Sequence, residues 1–149
     1  MKRQAGMTMV ELVVAIAITG IIVVFLSTAI YQIITVSAYG NDRLTALHEL
    51  QNTAQWFNLD SQEARTAIGG NQLVLTLADN STISYSLVST ELRRASGGSQ
   101  MILARNITSA SFAVNNRIIT MSLNSSPAGR SGVSENGTYM VSLRPAGGG

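Results

Sequence analysis

The fold is decided by Gly6-Met7-Thr8-Met9-Val10-Glu11 and by the run LVVAIAITGIIVVFLSTAIYQIITV that follows it at positions 12–36. Residues 12–36 number 25 and carry no charge. A membrane-spanning helix needs about 20 predominantly apolar residues, so this segment is long enough to cross a bilayer. A carboxylate within a membrane costs about 2.5 kcal/mol or more, so Glu11, at the entrance to the segment, requires a functional explanation.

Charges around the apolar segment predict its orientation. Lys2 and Arg3 precede it, and the next basic residue is Arg43. Because basic residues favour the cytoplasmic side, we expect the N-terminus in the cytoplasm and the bulk of the chain outside it. An ordinary secretory signal peptide, cleaved near residues 27–29, is the alternative interpretation. That alternative leaves Glu11 unexplained.

The segment Gly6-Met7-Thr8-Met9-Val10-Glu11-Leu12 resembles the processing site of type IV pilins and type II secretion pseudopilins. The resemblance implies that a prepilin peptidase removes residues 1–6 and methylates the new amine of Met7. It also implies that Glu11 pairs with the methylated amine of a neighbouring subunit and so sets axial register. Gly20 matches a glycine common in such stems, whereas Thr28 stands where many major pilins carry proline.

Beyond residue 36 the pattern predicts an amphipathic helix that continues to a stop at Gly69-Gly70-Asn71. Its apolar face recurs at helical spacing, with Asp60 among the residues assigned to the polar face. The predicted apolar face consists of Leu44, Leu47, Leu50, Ala54, Phe57, Ala64 and Ile68.

From Gln72 the apolar period becomes two, which is typical of strands. Asp79-Asn80, Gly97-Gly98 and Asn115-Asn116 are predicted turns, and residues 124–137 a loop. A helix that packs on an antiparallel sheet gives an α+β fold. The predicted strands are 72–78, 82–87, 91–95, 101–105, 109–114, 117–123 and 138–144.

The order of Tyr85-Ser86-Leu87, Leu92-Arg93-Arg94 and residues 103–107 resembles J-type minor pseudopilins and W-type minor pilins.

These patterns divide the chain into five segments. The predicted segments are a leader (1–6), a transmembrane or filament-core helix (7–36), an amphipathic helical half (37–70), an antiparallel β domain (71–144) and a tail (145–149).

The residue inventory gives no indication of catalysis, a cofactor or a metal site. The chain has no cysteine and one histidine, His48, and its only lysine lies in the predicted leader. A histidine-based serine triad would depend on His48 alone, without a nucleophile elbow around any serine. Asp79-Asn80-Ser81 offers oxygen atoms to calcium, but a hairpin turn is the preferred interpretation.

Charge is divided unevenly along the chain. Residues 41–91 carry six acids and two arginines, whereas residues 92–149 carry six arginines and one acid. One hypothesis makes the basic half an anion or DNA contact. The preferred alternative is solvated arginines that meet the acidic helix, because alternating strand positions face opposite sides and few aromatic residues lie between them. The candidate contacts are Arg93, Arg94, Arg105 and Arg117, and the basic half also contains Arg130 and Arg144.

The sequence therefore predicts a structural subunit, a minor pilin or minor pseudopilin of a type IV pilus or a type II secretion filament. Its expected partners are the prepilin peptidase, other subunits and the membrane. Its expected location is the cytoplasmic membrane, then a surface or periplasmic filament. A DNA-contacting minor pilin of an uptake pilus is the first alternative, and a secreted soluble domain is the second. The sequence alone does not choose between secretion, adhesion, motility and DNA uptake.

Overall fold

The computed structural model describes residues 7–127 and 132–143, within two compact units that meet between Ala38 and Tyr39. The predicted leader (1–6), the predicted tail (145–149), Arg130 and Arg144 lie outside the described residues. The first unit contains the apolar part of one helix, and the second contains the rest of that helix and all eight strands.

Helix α1 spans Met9–Glu63. In the first unit its described residues are exposed, including every large apolar side chain from Met7 to Val36. The hydroxyls of Thr19, Ser27, Thr28 and Thr35 each donate to the carbonyl four residues earlier, at 2.7–3.0 Å. These polar groups are therefore satisfied within the helix, which suits an apolar surrounding. By length and composition this is the one helix among the described residues that could cross a membrane.

The buried face of α1 in the second unit differs from the predicted face. Leu44 is 56% exposed, whereas Ala46, Thr53 and Asp60 are buried. The prediction that Leu44 belongs to the core and Asp60 to the polar face was wrong, because Asp60 has charged and hydroxyl partners inside the domain. The buried residues are Ala46, Leu50, Thr53, Phe57, Asp60 and Ser61.

Helix α1 also ends earlier than predicted, at Glu63. The Arg65 N–H donates to the Thr76 carbonyl at 2.8 Å, and this bond begins a strand in place of another helical turn. Ile68, predicted on the apolar helix face, is exposed on that strand. Long-range pairing with the next strand thus replaces the last turn that local periodicity favoured.

Eight strands form two antiparallel sheets. The first has the order β1-β2-β3-β4-β5 and the second the order β6-β7-β8. All seven predicted strands are present, with residues 124–125 and 135–137 of the predicted loop also in strands. The strands are β1 (Thr66–Ile68), β2 (Gln72–Thr76), β3 (Thr82–Val88), β4 (Glu91–Ser96), β5 (Ser99–Ala104), β6 (Ile107–Asn115), β7 (Ile118–Ser125) and β8 (Glu135–Ser142).

The turns predicted at Asp79-Asn80 and Gly97-Gly98 are confirmed by their backbone conformations, and the turn predicted at Asn115-Asn116 lies one residue later, at Asn116-Arg117. Gly97 and Gly98 both have positive φ, at 58° and 82°, as a two-residue hairpin turn requires. Asn80 and Asn116 adopt φ of 64° and 55°, a region that asparagine tolerates better than most residues. The Asp79 carboxylate accepts from the N–H and hydroxyl of Ser81, and the hydroxyl bond lowers the pKa of Asp79.

One hydrophobic core joins α1 to both sheets in the second unit. It includes Leu50 and Phe57 of the helix. Inward positions of the strands supply the rest, so the predicted α+β architecture, a long helix on antiparallel sheets, is confirmed. The strand residues of this core are Leu73, Leu75, Ile83, Tyr85, Leu92, Leu103, Ala104, Ile107, Phe112, Ile119, Met121 and Leu123.

Candidate assembly and anion-binding residues

Thr8 and Glu11 form a reciprocal cap at the start of α1. The backbone N–H and the hydroxyl of Thr8 donate to Glu11 Oε2 at 2.8 and 2.9 Å, and the Glu11 N–H donates to Thr8 Oγ1 at 3.3 Å. This is the geometry of a capping box, in which the residue before the helix and the third helical residue satisfy each other's free donors. Glu11 thus has a role within its own chain, and its sequence signal is a threonine three residues before the glutamate.

The cap leaves part of the Glu11 carboxylate available. Both bonds from Thr8 end on Oε2, whereas a carboxylate has about four acceptor sites over its two oxygens. Oε1 can therefore accept from a second donor while the cap persists. Met7, one residue before the cap, is exposed, and Gly6 lies outside the described residues.

A buried ion pair holds the end of α1 against the first sheet. Arg94 Nε and Nη2 donate to the two oxygens of Asp60 at 2.6 and 2.8 Å. The side chains of Arg94 and Asp60 are only 16% and 7% exposed, and the Tyr85 hydroxyl also donates to Asp60. The hydrogen bond from Arg94 to Asp60 raises the pKa of the guanidinium, and burial, more than the bond to Asp60, raises the pKa of Tyr85 well above its usual range.

Aromatic rings complete this cluster. The Arg94 guanidinium lies over the Trp56 ring, 5.0 Å from its centroid, in cation–π geometry. Phe57 and Tyr85 pack edge to face with centroids 6.4 Å apart. Since Tyr85 and Arg94 are cross-strand partners on β3 and β4, the sheet positions both groups against one turn of the helix.

The structure does not gather the four arginines into one patch. Arg94 faces inward and is bound to Asp60, which removes it from the side chains free to meet an anion. Arg93 and Arg105 do approach each other, because Glu91 contacts both, at 2.8 and 3.9 Å. Their two positive charges are partly balanced by that carboxylate.

Arg117 lies in the second sheet region, in the turn before β7. Its Nη2 is buried, and among the described residues it has no hydrogen-bond partner. The four arginines thus do not form one surface. Arg94 is paired with Asp60, Arg93 and Arg105 share Glu91, and Arg117 lies apart from the other three. His48 is exposed on α1, and the described residues contain no group of three histidine or acidic side chains able to hold a metal.

The Asp60 cluster was missed at the level of sequence, although its signal was present. Arg94 lies two residues after Leu92, so strand alternation places both on the inward face. Asp60 lies three residues after Phe57 and four before Ala64, which places it on the apolar helix face. One acid and one arginine, each on an apolar face, indicate a buried pair.

Comparison with known proteins gives two family matches. Residues 1–27 match the prokaryotic N-terminal methylation motif, and residues 41–128 match the putative competence protein ComGF. The second match covers 88 of the 149 residues. The chain belongs to the ComGF family. No curated protein and no solved structure matches this chain.

The two matches lie almost end to end and agree with the two parts of the fold. The methylation motif covers the cap and the first part of the apolar helix, and the ComGF match begins at residue 41 of α1 and covers the strands as far as β7, with residues 28–40 in neither match. The chain is therefore a structural subunit of the minor-pilin type, and its motif implies other pilin subunits and a prepilin peptidase as partners.

Proposed function

We propose that this protein is a minor pilin of a competence pilus, cut after Gly6 and methylated on the amine of Met7. Residues 7–36 cross the cytoplasmic membrane before assembly and enter the filament core afterwards, with the second unit outside the cytoplasm. The observation that carries this proposal is the prepilin-type motif directly before an exposed, uncharged apolar helix capped by Thr8 and Glu11. The ComGF match favours competence over secretion.

The leader and Glu11 act at different stages of this proposal. Before cleavage, Lys2 and Arg3 hold the N-terminus on the cytoplasmic side. After cleavage, the Met7 amine becomes a cation at the start of α1. In a bundle of such helices Glu11 Oε1 accepts from the methylated amine of a neighbour, while Oε2 keeps its bonds to Thr8. A charge that is costly alone in lipid then contributes to subunit register.

The mass of the mature N-terminus tests the proposal. We expect a chain that begins with methylated Met7 when the protein is produced with a prepilin peptidase, and uncut chain without the peptidase. A Gly6→Ala variant serves as the matched control for processing. A mature chain that begins near Ile30 would instead establish an ordinary signal peptide and end the proposal.

Direct DNA contact is a second candidate, favoured by the ComGF match and by the proximity of Arg93 to Arg105. A gel-shift titration of the full chain in detergent tests it over a range of salt concentrations. If these two arginines meet phosphate, Arg93→Gln and Arg105→Gln weaken binding and each lowers the salt slope by about one. Binding without salt dependence, or no binding, would exclude this role.

A further inference from the structure

Strand β8 has one free side, and the chain direction shows which of its backbone groups face it. The Leu143 N–H donates to the Arg117 carbonyl at 2.7 Å, in line with the register that pairs Ser142 with Ile118. Bonding direction alternates along an antiparallel strand, so the odd-numbered residues of β8 bond to β7. The N–H and C=O groups of Thr138, Met140 and Ser142 therefore point to the free side, where they have no backbone partner among residues 7–127 and 132–143.

Other edge strands in the domain are shorter or have contacts at individual positions. At the C-terminal end of β5, Asn52 donates to the Leu103 carbonyl at 2.6 Å and Glu49 accepts from the Arg105 N–H at 2.9 Å, and the rest of β5 is only four residues long. On β6, the Gly70 N–H donates to the Phe112 carbonyl at 3.0 Å. Strand β1 is only three residues long. Edge strands are normally short, covered or charged, whereas β8 has eight residues and carries no charge after Glu135.

The part of β8 that borders this free side carries no charge. From Asn136 to Leu143 the sequence NGTYMVSL contains neither a charged residue nor a proline. The outward positions of the whole second sheet are also uncharged. By register these rows are Ser109, Asn124 and Asn136; Ser111, Ser122 and Thr138; Ala113, Thr120 and Met140; Asn115, Ile118 and Ser142.

Helix α1 forms the other wall. Strand β8 runs alongside it in the same direction, from the Arg43–Glu135 ion pair at one end to Glu63 and Ser142 at the other. A hollow of about 430 Å³ lies between them, lined by residues 54, 55, 57 and 58 of the helix and 138–141 of the strand. We call this surface the β8 seam: the free side of residues 138–142 together with the helix flank formed by Gln55, Asn58, Leu59 and Gln62, which is uncharged up to Glu63 at its end beside Ser142.

The chemistry of the β8 seam defines its ligand. Alternating backbone donors and acceptors are satisfied by another extended strand, as in β-strand addition. The lack of charge selects an uncharged segment, since an unpaired charge would lose its hydration there. Met140, 70% exposed, and Leu59 offer apolar contacts on the two rims. Depletion of charge is also typical of the centre of a protein interface.

We propose that the β8 seam binds an extended, uncharged segment of a different surface on a neighbouring pilin subunit, which adds a strand to β8. The choice of a different surface rests on the proposed function as a filament subunit. Subunits of an open filament contact one another through unlike surfaces, whereas β8 paired with β8 of a second copy would give a closed dimer.

The test is carried out on the full chain, co-produced in bacterial membranes with prepilin peptidase and, one at a time, with each other prepilin-motif protein of the same genome. Two variants block the edge. Thr138→Lys places a charge on it, and Met140→Pro removes an N–H from the free side while leaving the bonds to β7 intact. Ile68→Lys is the matched control, because Ile68 is an edge-strand residue 69% exposed, against 70% for Met140.

We expect one of these proteins to form a detergent-stable complex whose yield falls about tenfold or more with either edge variant and is unchanged with Ile68→Lys. The yield should also be unaffected between about 0.1 and 0.5 M salt, since the seam is uncharged. Equal yields from wild type and both edge variants would overturn the inference.

Two further measurements separate the possible failures. The N-terminal mass of each sample reports on processing, so methylated Met7 with unaltered complexes would reject the seam alone, whereas a chain cut elsewhere would reject the proposed function. The chain has no other cysteine, so a disulfide-linked dimer of a Met140→Cys variant must join residue 140 of one copy to residue 140 of another. Efficient self-linked dimers of this variant in the membrane would show that a second copy occupies the seam, which also overturns the proposal.

Discussion

Removal of the Asp60 carboxylate should unfold the second unit at much lower denaturant than in the wild type. Asp60 is 7% exposed and accepts two bonds from Arg94 and one from Tyr85. Asp60→Ala leaves the guanidinium buried without its anion, which costs about 3–5 kcal/mol. A domain of this size has a total stability of about 5–15 kcal/mol, so the loss is a large fraction of the whole.

The assay is urea unfolding of the full chain in detergent micelles, followed by fluorescence. Trp56 is the only tryptophan and lies 5.0 Å from the Arg94 guanidinium, so its emission reports on this cluster. With a denaturant slope of about 2 kcal/mol per M, the predicted loss moves the midpoint down by about 2 M.

A double variant provides the control. Asp60→Leu with Arg94→Met replaces both charges by apolar groups, and such replacements of buried pairs are often neutral. We expect the double variant to be more stable than Asp60→Ala. A loss below about 1 kcal/mol for Asp60→Ala would refute the reasoning, since a loss that small is typical of an exposed pair.

Three other predictions concern Tyr85, Gly69 and Glu11. The pKa of Tyr85 is raised above its ordinary value of 10.0, so the folded state keeps a proton that the unfolded state loses. The free energy of unfolding should therefore be at its full value below pH 10 and fall above it by about 1.4 kcal/mol per pH unit. Urea titrations at pH 9 to 11 measure this slope, which Tyr85→Phe should reduce. Gly69→Ala places a Cβ 2.6 Å from the Phe112 carbonyl oxygen and should lower the free energy of unfolding by about 1–3 kcal/mol. Gly40→Ala has open space around its Cβ and should leave stability unchanged or raise it. Equal urea midpoints for the two variants would contradict this. Glu11→Ala removes the cap and the proposed partner of the Met7 amine. We expect normal membrane insertion but loss of incorporation into filaments, measured by a pull-down of sheared filaments. Unaltered incorporation would disprove the role of that charge.

Much of the molecule could be predicted because local patterns dominate in those parts. Residues 12–36 carry no charge and are favourable only as a helix in an apolar surrounding. Seven strands were predicted from apolar residues at every second position between turn residues. The turns at Gly97-Gly98 and Asn116 followed from residues that accept positive φ. The prepilin motif is local as well, since a peptidase must read it before any filament exists.

Errors arose where a distant segment competed with the local pattern. Residues 66–68 fit the helical period, but the hydrogen bonds offered by β2 made them a strand. Leu44 fits the apolar stripe, yet no strand covers its side of the helix and it stays exposed. The local pattern places Asp60 among solvated acids, but in the fold Tyr85 of β3 and Arg94 of β4 both donate hydrogen bonds to it.

By itself, then, the sequence determined the apolar helix, its acidic first turn, the α+β class and the pilin-type interpretation, because each depends on neighbours within a few residues. Tertiary structure alone decided which two arginines share Glu91, and it joined Asp60 to Arg94, which the sequence only placed on two separate apolar faces. It also decided that β8 is a long edge strand whose outward backbone groups have no backbone partner among the described residues. Those outcomes depend on strand order and register, and register follows from packing between segments far apart in the chain.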